Sequence, residues 1–172
     1  MRLIAKAQCD IECARERGFD YLVNCKTYPK ILRSHWPVPG ILAAEMKEGA
    51  TLASGARRRV LLQDGVIIEE EIVELERPFT HRYSWERGLK PPLSLLVRRG
   101  EATWQFMDLP CGMRVLWTYE LELTSALTYP IAKPLTLRFQ SWMRRGLMRA
   151  KQKLERPRTR REEDRSDFMR SF

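Results

Sequence analysis

The chain has 172 residues, of which 44% are hydrophobic and 31% are charged, and its 31 basic and 22 acidic side chains give a formal charge of +9. A chain of this length suits one domain and buries enough surface to fold without disulfides or metals. The composition excludes a wholly disordered protein. No apolar run reaches the ~18 residues that a transmembrane helix requires.

The residues that would hold a metal or a disulfide scaffold are scarce. The four cysteines show no CxxC spacing, and the chain has only two histidines. We therefore expect neither a zinc site nor any other metal or cofactor. Lys6 and Asp10 interrupt the first apolar stretch, so the N-terminus does not resemble a secretory signal, and a reduced cytoplasmic protein is expected.

The first forty residues predict one strand followed by helices. Residues 3–13 alternate between apolar and polar side chains, which indicates a strand with one buried face. Residues 14–33 are predicted to form short helices broken by Pro29. Prolines and a glycine over 34–40 indicate a turn or loop.

Strand patterns then recur at short spacing. The predicted strands cover 41–47, 56–63, 66–76, 79–85, a segment around 102–106, and 113–124. Asp64-Gly65 predicts a hairpin with a type I′ turn. Residues 88–97 are predicted to form a loop around Pro91-Pro92.

After Pro130 the apolar spacing changes from 2 to about 3.6 residues, which predicts a long C-terminal helix ending near Arg156. Its predicted apolar stripe consists of Ile131, Leu135, Phe139, Trp142, Met143, Leu147, Ala150 and Leu154. Strands followed by a helix indicate an α+β fold, and an antiparallel sheet needs one covered face. We predict a curved sheet of about six to seven strands wrapped around this helix, as one domain over residues 1–156.

The positive charge is concentrated at the C-terminus. Residues 144–172 carry eleven basic and five acidic side chains, whereas residues 1–143 carry twenty and seventeen. Residues 157–172 are therefore predicted to be a flexible basic tail, solvated or in weak contact with anionic lipid. The nearly balanced charge of the domain argues against specific binding of nucleic acid.

Short sequence motifs occur in a fixed order over residues 3–155. They are Phe19-Asp20-Tyr21-Leu22-Val23-Asn24, Tyr28-Pro29, Trp36-Pro37, Gly55 to Val60, Asp64-Gly65, Glu69 to Glu76 with Pro78 and Tyr83, Ala102-Thr103-Trp104, and Val115 to Tyr119. This order resembles the SRPBCC superfamily (START-like or Bet v 1-like proteins), in its polyketide cyclase/dehydrase and lipid-transport branch. The resemblance implies a helix-grip fold. It leaves the function open, because this fold hosts binding, transport and catalysis.

Strand parity predicts which side chains would line a cavity between the sheet and the helix. The candidate ligand-binding residues are Trp36, Met46, Phe79, His81, Tyr83, Trp85, Trp104, Phe106, Trp117, Tyr119, Phe139 and Trp142. Most are aromatic, as is usual in small-molecule sites. The alternative for each of them is simple packing in the core.

Two sets of polar residues are candidates for chemistry. His81, beside Tyr83, is the candidate general acid or base for an aldol cyclisation or a dehydration, with a structural buried histidine as the alternative. The acidic strand over 69–76 lies opposite Arg57-Arg58-Arg59 in the predicted hairpin. These charges predict a solvated cross-strand ladder, or an inward Glu–Arg pair that orients a polar ligand head group.

The favoured function is binding or transport of a hydrophobic small molecule, such as a lipid, an isoprenoid or a polyketide-like aromatic, by a monomer or homodimer. It requires an internal cavity of at least about 150 Å³. The alternatives are an aromatase/cyclase or dehydratase that uses His81 and Tyr83, and a peripheral adaptor whose basic tail contacts membranes, ribosomes or other acidic partners. No phosphate-binding loop, HExxH motif or nucleophile elbow is present in the sequence.

Overall fold

The structure, a computed structural model, describes residues 1–86, 88–91 and 93–156. The predicted basic tail over 157–172 lies outside the described residues. Its separation from the domain therefore stays a prediction.

The described residues form one antiparallel sheet of seven strands, in the order β1-β7-β6-β5-β4-β3-β2. The strands are β1 (Arg2–Ile11), β2 (Ile41–Met46), β3 (Arg57–Leu62), β4 (Ile67–Glu76), β5 (Thr80–Trp85), β6 (Val97–Leu109) and β7 (Gly112–Leu123). Consecutive strands from β2 to β7 pair with each other, and β1 closes the order by pairing with β7. The predicted α+β helix-grip fold is confirmed.

Helices cover one face of the sheet. They are α1 (Arg15–Val23), α2 (Tyr28–Ile31), α3 (Leu93–Leu96) and α4 (Tyr129–Leu154), with single 3₁₀ turns at Cys25–Thr27, Lys47–Gly49 and Ala126–Thr128. Pro29 lies in the first turn of α2 rather than breaking a helix, since proline needs no amide hydrogen there. No helix in the described ranges is long and apolar enough to cross a bilayer.

The core lies between the inner face of the sheet and α4. In β1 every second side chain is buried, and four of these five pair with a buried residue on β7, as Ala7 does with Trp117. The half-buried first strand that the alternation predicts is therefore confirmed. The buried face of α4 contacts β1 more than any other strand, so the helix crosses the sheet near one edge.

The predicted stripe of α4 is confirmed in its second half and wrong at its start. Met143, Leu147 and Leu154 are buried, but Ile131 is 61% exposed. Ala132 and Thr136 face the sheet in its place. Successive helical residues point about 100° apart, so Ile131 is turned away from a face on which Ala132 is central. Because Ala132 is small and Thr136 is polar, the hydropathy pattern does not show that these two residues lie on the buried face.

Two local predictions also need correction. The hairpin between β3 and β4 forms, but only Gly65 has a positive φ (78°), whereas a type I′ turn needs one at Asp64 as well. The Leu62 amide instead donates to the Val66 carbonyl at 2.8 Å, which gives a three-residue connection. The predicted loop over 88–97 contains α3, and β6 begins at Val97 because β7 extends far enough to pair Leu123 with it.

We expect Leu147→Ala to lower the free energy of unfolding by about 2–5 kcal/mol, because the change leaves a cavity between α4 and β1. The matched control is Leu137→Ala on the same helix, where the side chain is 66% exposed and the loss should stay below about 0.5 kcal/mol. Urea denaturation measures both. Equal losses would show that α4 does not pack on the sheet through the face described above.

Candidate functional site

A cavity of about 150 Å³ lies between the inner face of the sheet and the first half of α4. Pro37 to Pro39 and the side chains of α3 bound it on the remaining sides. Six of the predicted ligand-binding residues line it: Tyr83, Trp85, Trp117, Tyr119, Phe139 and Trp142. The structure therefore brings together half of the predicted set in one apolar space.

Three predicted site residues lie away from this cavity. Trp36 is 78% exposed, although the neighbouring Pro37 reaches the cavity wall. Phe79 is 44% exposed and has the Arg15 guanidinium 4.2 Å above its ring. Since β5 begins only at Thr80, strand parity does not fix the direction of Phe79. Met46, the last residue of β2, is half-buried and outside the wall.

Trp104 and Phe106 are buried on the inner face of β6 but belong to the packed core. The Trp104 ring stacks on Trp117 with 4.3 Å between centroids, and Phe106 meets the edge of Phe19 on α1 at 5.0 Å. The inner face of the sheet is longer than the cavity, and α1 covers this end. Correct parity alone therefore does not distinguish a wall residue from a core residue.

Sequence reasoning missed several wall residues. Apolar side chains of β3 and β4, among them Val60, Leu62 and Ile68, line the cavity together with Tyr28 of α2. The alternation of β3 carried this signal, since Val60 and Leu62 share a parity. Tyr28 reaches the cavity through a contact between α2 and the sheet, which no local pattern shows.

A buried ion pair lies against the cavity wall. Arg58 of β3 is fully buried, and its Nε donates a 2.5 Å hydrogen bond to Glu70 Oε2 on β4, directly opposite in the register. The neighbouring pairs on the outer face, Arg57 with Glu71 and Arg59 with Glu69, are exposed. The sequence left open a solvated ladder and an inward pair, and the structure contains both.

Aromatic groups enclose the Arg58 guanidinium. Its Nη1 donates a 2.7 Å hydrogen bond to the Tyr28 hydroxyl, and its central carbon lies 4.9 Å from the Tyr28 ring and 4.4 Å from the Tyr83 ring. Its Nη2 has no hydrogen-bond partner among the described residues. We call Tyr28, Arg58, Glu70, His81 and Tyr83 the polar cluster. Of these, Tyr28, Glu70 and Tyr83 reach the cavity wall.

His81 belongs to the polar cluster but not to the wall. The residue is 0% exposed, and its Nε2 lies 3.4 Å from Arg58 Nη1. Burial and the positive charge of Arg58 lower the pKa of His81 from 6.5 to about 3. The ring is therefore neutral near pH 7, and its Nε2 can accept a hydrogen bond from the Arg58 guanidinium.

The tyrosines of the wall stay protonated. Burial raises the pKa values of the Tyr28, Tyr83 and Tyr119 hydroxyls well above the ordinary 10. Trp85 Nε1 donates to the Tyr119 hydroxyl, and Gly100 permits this position because a Cβ there would lie 2.5 Å from the Trp85 ring. Each of these phenols can therefore donate its own proton in a hydrogen bond.

A metal has no ready site in the part of the chain that the structure describes. No group of three or more His, Cys, Asp or Glu side chains there could hold a metal ion. The chemistry that this arrangement supports is apolar enclosure, one carboxylate acceptor and several phenol donors.

A family model described as polyketide cyclase / dehydrase and lipid transport matches residues 5–155. The chain belongs to this family. The resemblance that the sequence motifs predict is thereby confirmed, whereas no curated protein sequence matches the chain. The family description covers both catalysts and carriers, so membership alone does not assign an activity.

Solved structures share the fold of this family member at low sequence identity. The di-domain ARO/CYC protein BexL from the BE-7585A biosynthetic pathway aligns with a TM-score of 0.69 and 15% identity, over 91% of this chain and 51% of BexL. Protein MLL2253 from Mesorhizobium loti aligns with a TM-score of 0.68 and 15% identity, over 91% of this chain and 100% of MLL2253. Major latex-like protein 151 from Panax ginseng aligns with a TM-score of 0.66 and 14% identity, over 90% of this chain and 98% of the ginseng protein.

In this family member, we expect Arg58→Met or Glu70→Met alone to lower the free energy of unfolding by about 3–5 kcal/mol, because each leaves a buried unpaired charge. The double variant R58M/E70M should unfold close to wild type, since it replaces the pair by apolar side chains of similar size. The exposed pair in R59M/E69M is the control, worth less than about 1 kcal/mol. Denaturant unfolding measures this double-mutant cycle, and additive losses at 58 and 70 would contradict the buried pair.

The pKa of His81 predicts a pH dependence of stability. Because it is lower in the folded state, the unfolded state binds the proton first, and stability falls as the pH drops from 6.5 towards 3. This contribution reaches about 1.4 kcal/mol per pH unit. His81→Gln should remove it. Unfolding free energies from pH 7 to 4 test this, and parallel curves for wild type and His81→Gln would contradict it.

Proposed function

We propose that the chain binds a hydrophobic small molecule in the cavity between the sheet and α4. The observation that carries this proposal is the apolar wall, to which β3, β4, β5, β7, α3 and α4 all contribute. A well-packed core of a domain this size does not leave such a space without cost, because unfilled volume forfeits packing contacts. The family description, which includes lipid transport, is consistent with it.

The size of the cavity limits its occupant. The cavity volume of about 150 Å³ equals the minimum that we expect for binding a small molecule. It lies below the roughly 300–1,000 Å³ of pockets for drug-sized ligands. An apolar cavity of about 150 Å³ accepts a molecule of the size of benzene. We therefore propose an occupant with one aromatic ring or a short chain, and a larger ligand requires α3 or the segment over 37–39 to move outwards.

Binding without turnover fits the polar cluster better than cyclase or dehydratase chemistry does. His81, the candidate acid or base, contacts Arg58 rather than the cavity, and its low pKa keeps it neutral. Tyr83 reaches the wall, but its raised pKa makes it a hydrogen-bond donor rather than a base. The adaptor alternative depends on the tail, which lies outside the described residues.

Toluene is a suitable probe for the cavity because its ring matches the available volume. We expect saturable binding of toluene to ¹⁵N-labelled protein, with chemical-shift changes at the inner faces of β4, β5 and α4. Ala132→Leu places a larger side chain in the wall and should weaken binding at least about tenfold, by filling the space that the ligand needs.

Ala126→Leu is the matched control for this change, because Ala126 is exposed, lies six residues before Ala132 and does not line the cavity. It should bind toluene as wild type does. Shift changes that never saturate, or that are the same in Ala132→Leu and wild type, would contradict binding in the cavity. If toluene binds as expected, native mass spectrometry of protein purified from cells identifies the natural occupant by its mass.

A further inference from the structure

We propose that the cavity selects a neutral hydrophobic ligand that carries a hydroxyl group, which donates to the Glu70 carboxylate and accepts from a tyrosine phenol. This inference rests on the proposed function and adds the chemical class of the ligand. It is carried by the hydrogen-bonding groups at the wall, one acceptor and several donors.

The acceptor is Glu70. Within the described residues, the Glu70 carboxylate is the one charged group in the wall, and the hydrogen bond from Arg58 Nε engages its Oε2. A carboxylate can accept about four hydrogen bonds through its two oxygens. Glu70 therefore keeps acceptor capacity on its second oxygen, and the residue is part of the cavity wall. In apolar surroundings such a group gains from each donor that reaches it.

The donors are the phenols. The Tyr28 hydroxyl accepts from Arg58 Nη1, and the Tyr119 hydroxyl accepts from Trp85 Nε1, so both keep their own O–H for another partner. The rings of Tyr83 and Tyr119 lie 6.3 Å apart, and Arg58 contacts both Tyr28 and Tyr83. The Glu70 carboxylate and these three tyrosines thus all belong to the wall of one cavity, most of which is apolar.

Charge complementarity restricts the ligand further. Glu70 and Arg58 neutralise each other, so no net charge in the polar cluster compensates a charged ligand. A carboxylate on the ligand would be buried beside Glu70, and an ammonium beside Arg58, and an uncompensated charge in an apolar site is strongly disfavoured. A ketone or an ether lacks a proton for Glu70. A hydroxyl group both donates and accepts, and therefore satisfies both kinds of wall group.

Phenol and toluene are nearly equal in size and differ in the group that Glu70 would recognise. Dissociation constants for both are measured by titration calorimetry on wild type, on R58M/E70M and on the exposed-pair control R59M/E69M. The ratio of the phenol constant to the toluene constant should rise at least about tenfold in R58M/E70M relative to wild type. It should not change in R59M/E69M. Comparison of ratios cancels the difference in the hydration of the two probes.

Tyr28→Phe tests the same inference by removing a phenol donor and leaves the charges of the polar cluster in place. It therefore keeps the inference testable if R58M/E70M does not fold. It should weaken phenol binding and leave toluene binding unchanged. Equal ratios in all variants, with both probes bound, would overturn the hydroxyl inference and leave the proposed function standing. Wild type that binds neither probe would overturn both. Benzoate binding tighter than phenol binding would also overturn the inference.

Discussion

A buried ion pair between two adjacent strands determines how the interior of this protein is arranged. Moving a guanidinium and a carboxylate out of water costs several kcal/mol per ion, which their attraction repays only with good geometry and further hydrogen bonds. Arg58 and Glu70 meet these conditions through direct strand register, a short contact and the Tyr28 hydroxyl. The same guanidinium joins α2 to the sheet through Tyr28. Burial, together with the positive charge of this guanidinium, lowers the pKa of His81 and keeps the ring neutral. The polar cluster therefore forms one unit with the cavity wall beside it.

The cavity itself follows from the distribution of side-chain size along α4. In the second half of the helix, Met143, Leu147 and Leu154 fill the space above the sheet. In the first half, two of the residues that face the sheet, Ala132 and Thr136, are small. Because α4 packs mainly on β1, small side chains at this end leave an apolar volume that side chains of β3 and β4 also line. Trp85, Trp117 and Trp142 complete its wall without filling it.

Much of this architecture can be read from the sequence, because its signals are local. The period of two in β1 and β7 and the helical period after Pro130 identify the elements and the buried faces. The predicted burial of side chains at the ends of elements is wrong for physical reasons. Phe79 precedes the first residue of β5, and Ile131 lies one helical step from the buried face. The shift in register between Ile72 and Glu74 also changes which side chains of β4 face inwards. Contacts between distant segments, such as Tyr28 with Arg58, have no local signal at all.

A crystal structure of the protein with phenol tests the central claim most directly, because it shows both whether the cavity is occupied and how the occupant is oriented. The account predicts one ring between the sheet and the first half of α4. Its oxygen should lie within hydrogen-bond distance, about 2.5–3.0 Å, of a Glu70 carboxylate oxygen and near a tyrosine hydroxyl. A cavity that stays empty at saturating phenol would contradict ligand binding at this site. A ring bound there with its oxygen directed away from Glu70 would contradict the role of the buried ion pair in selecting the ligand.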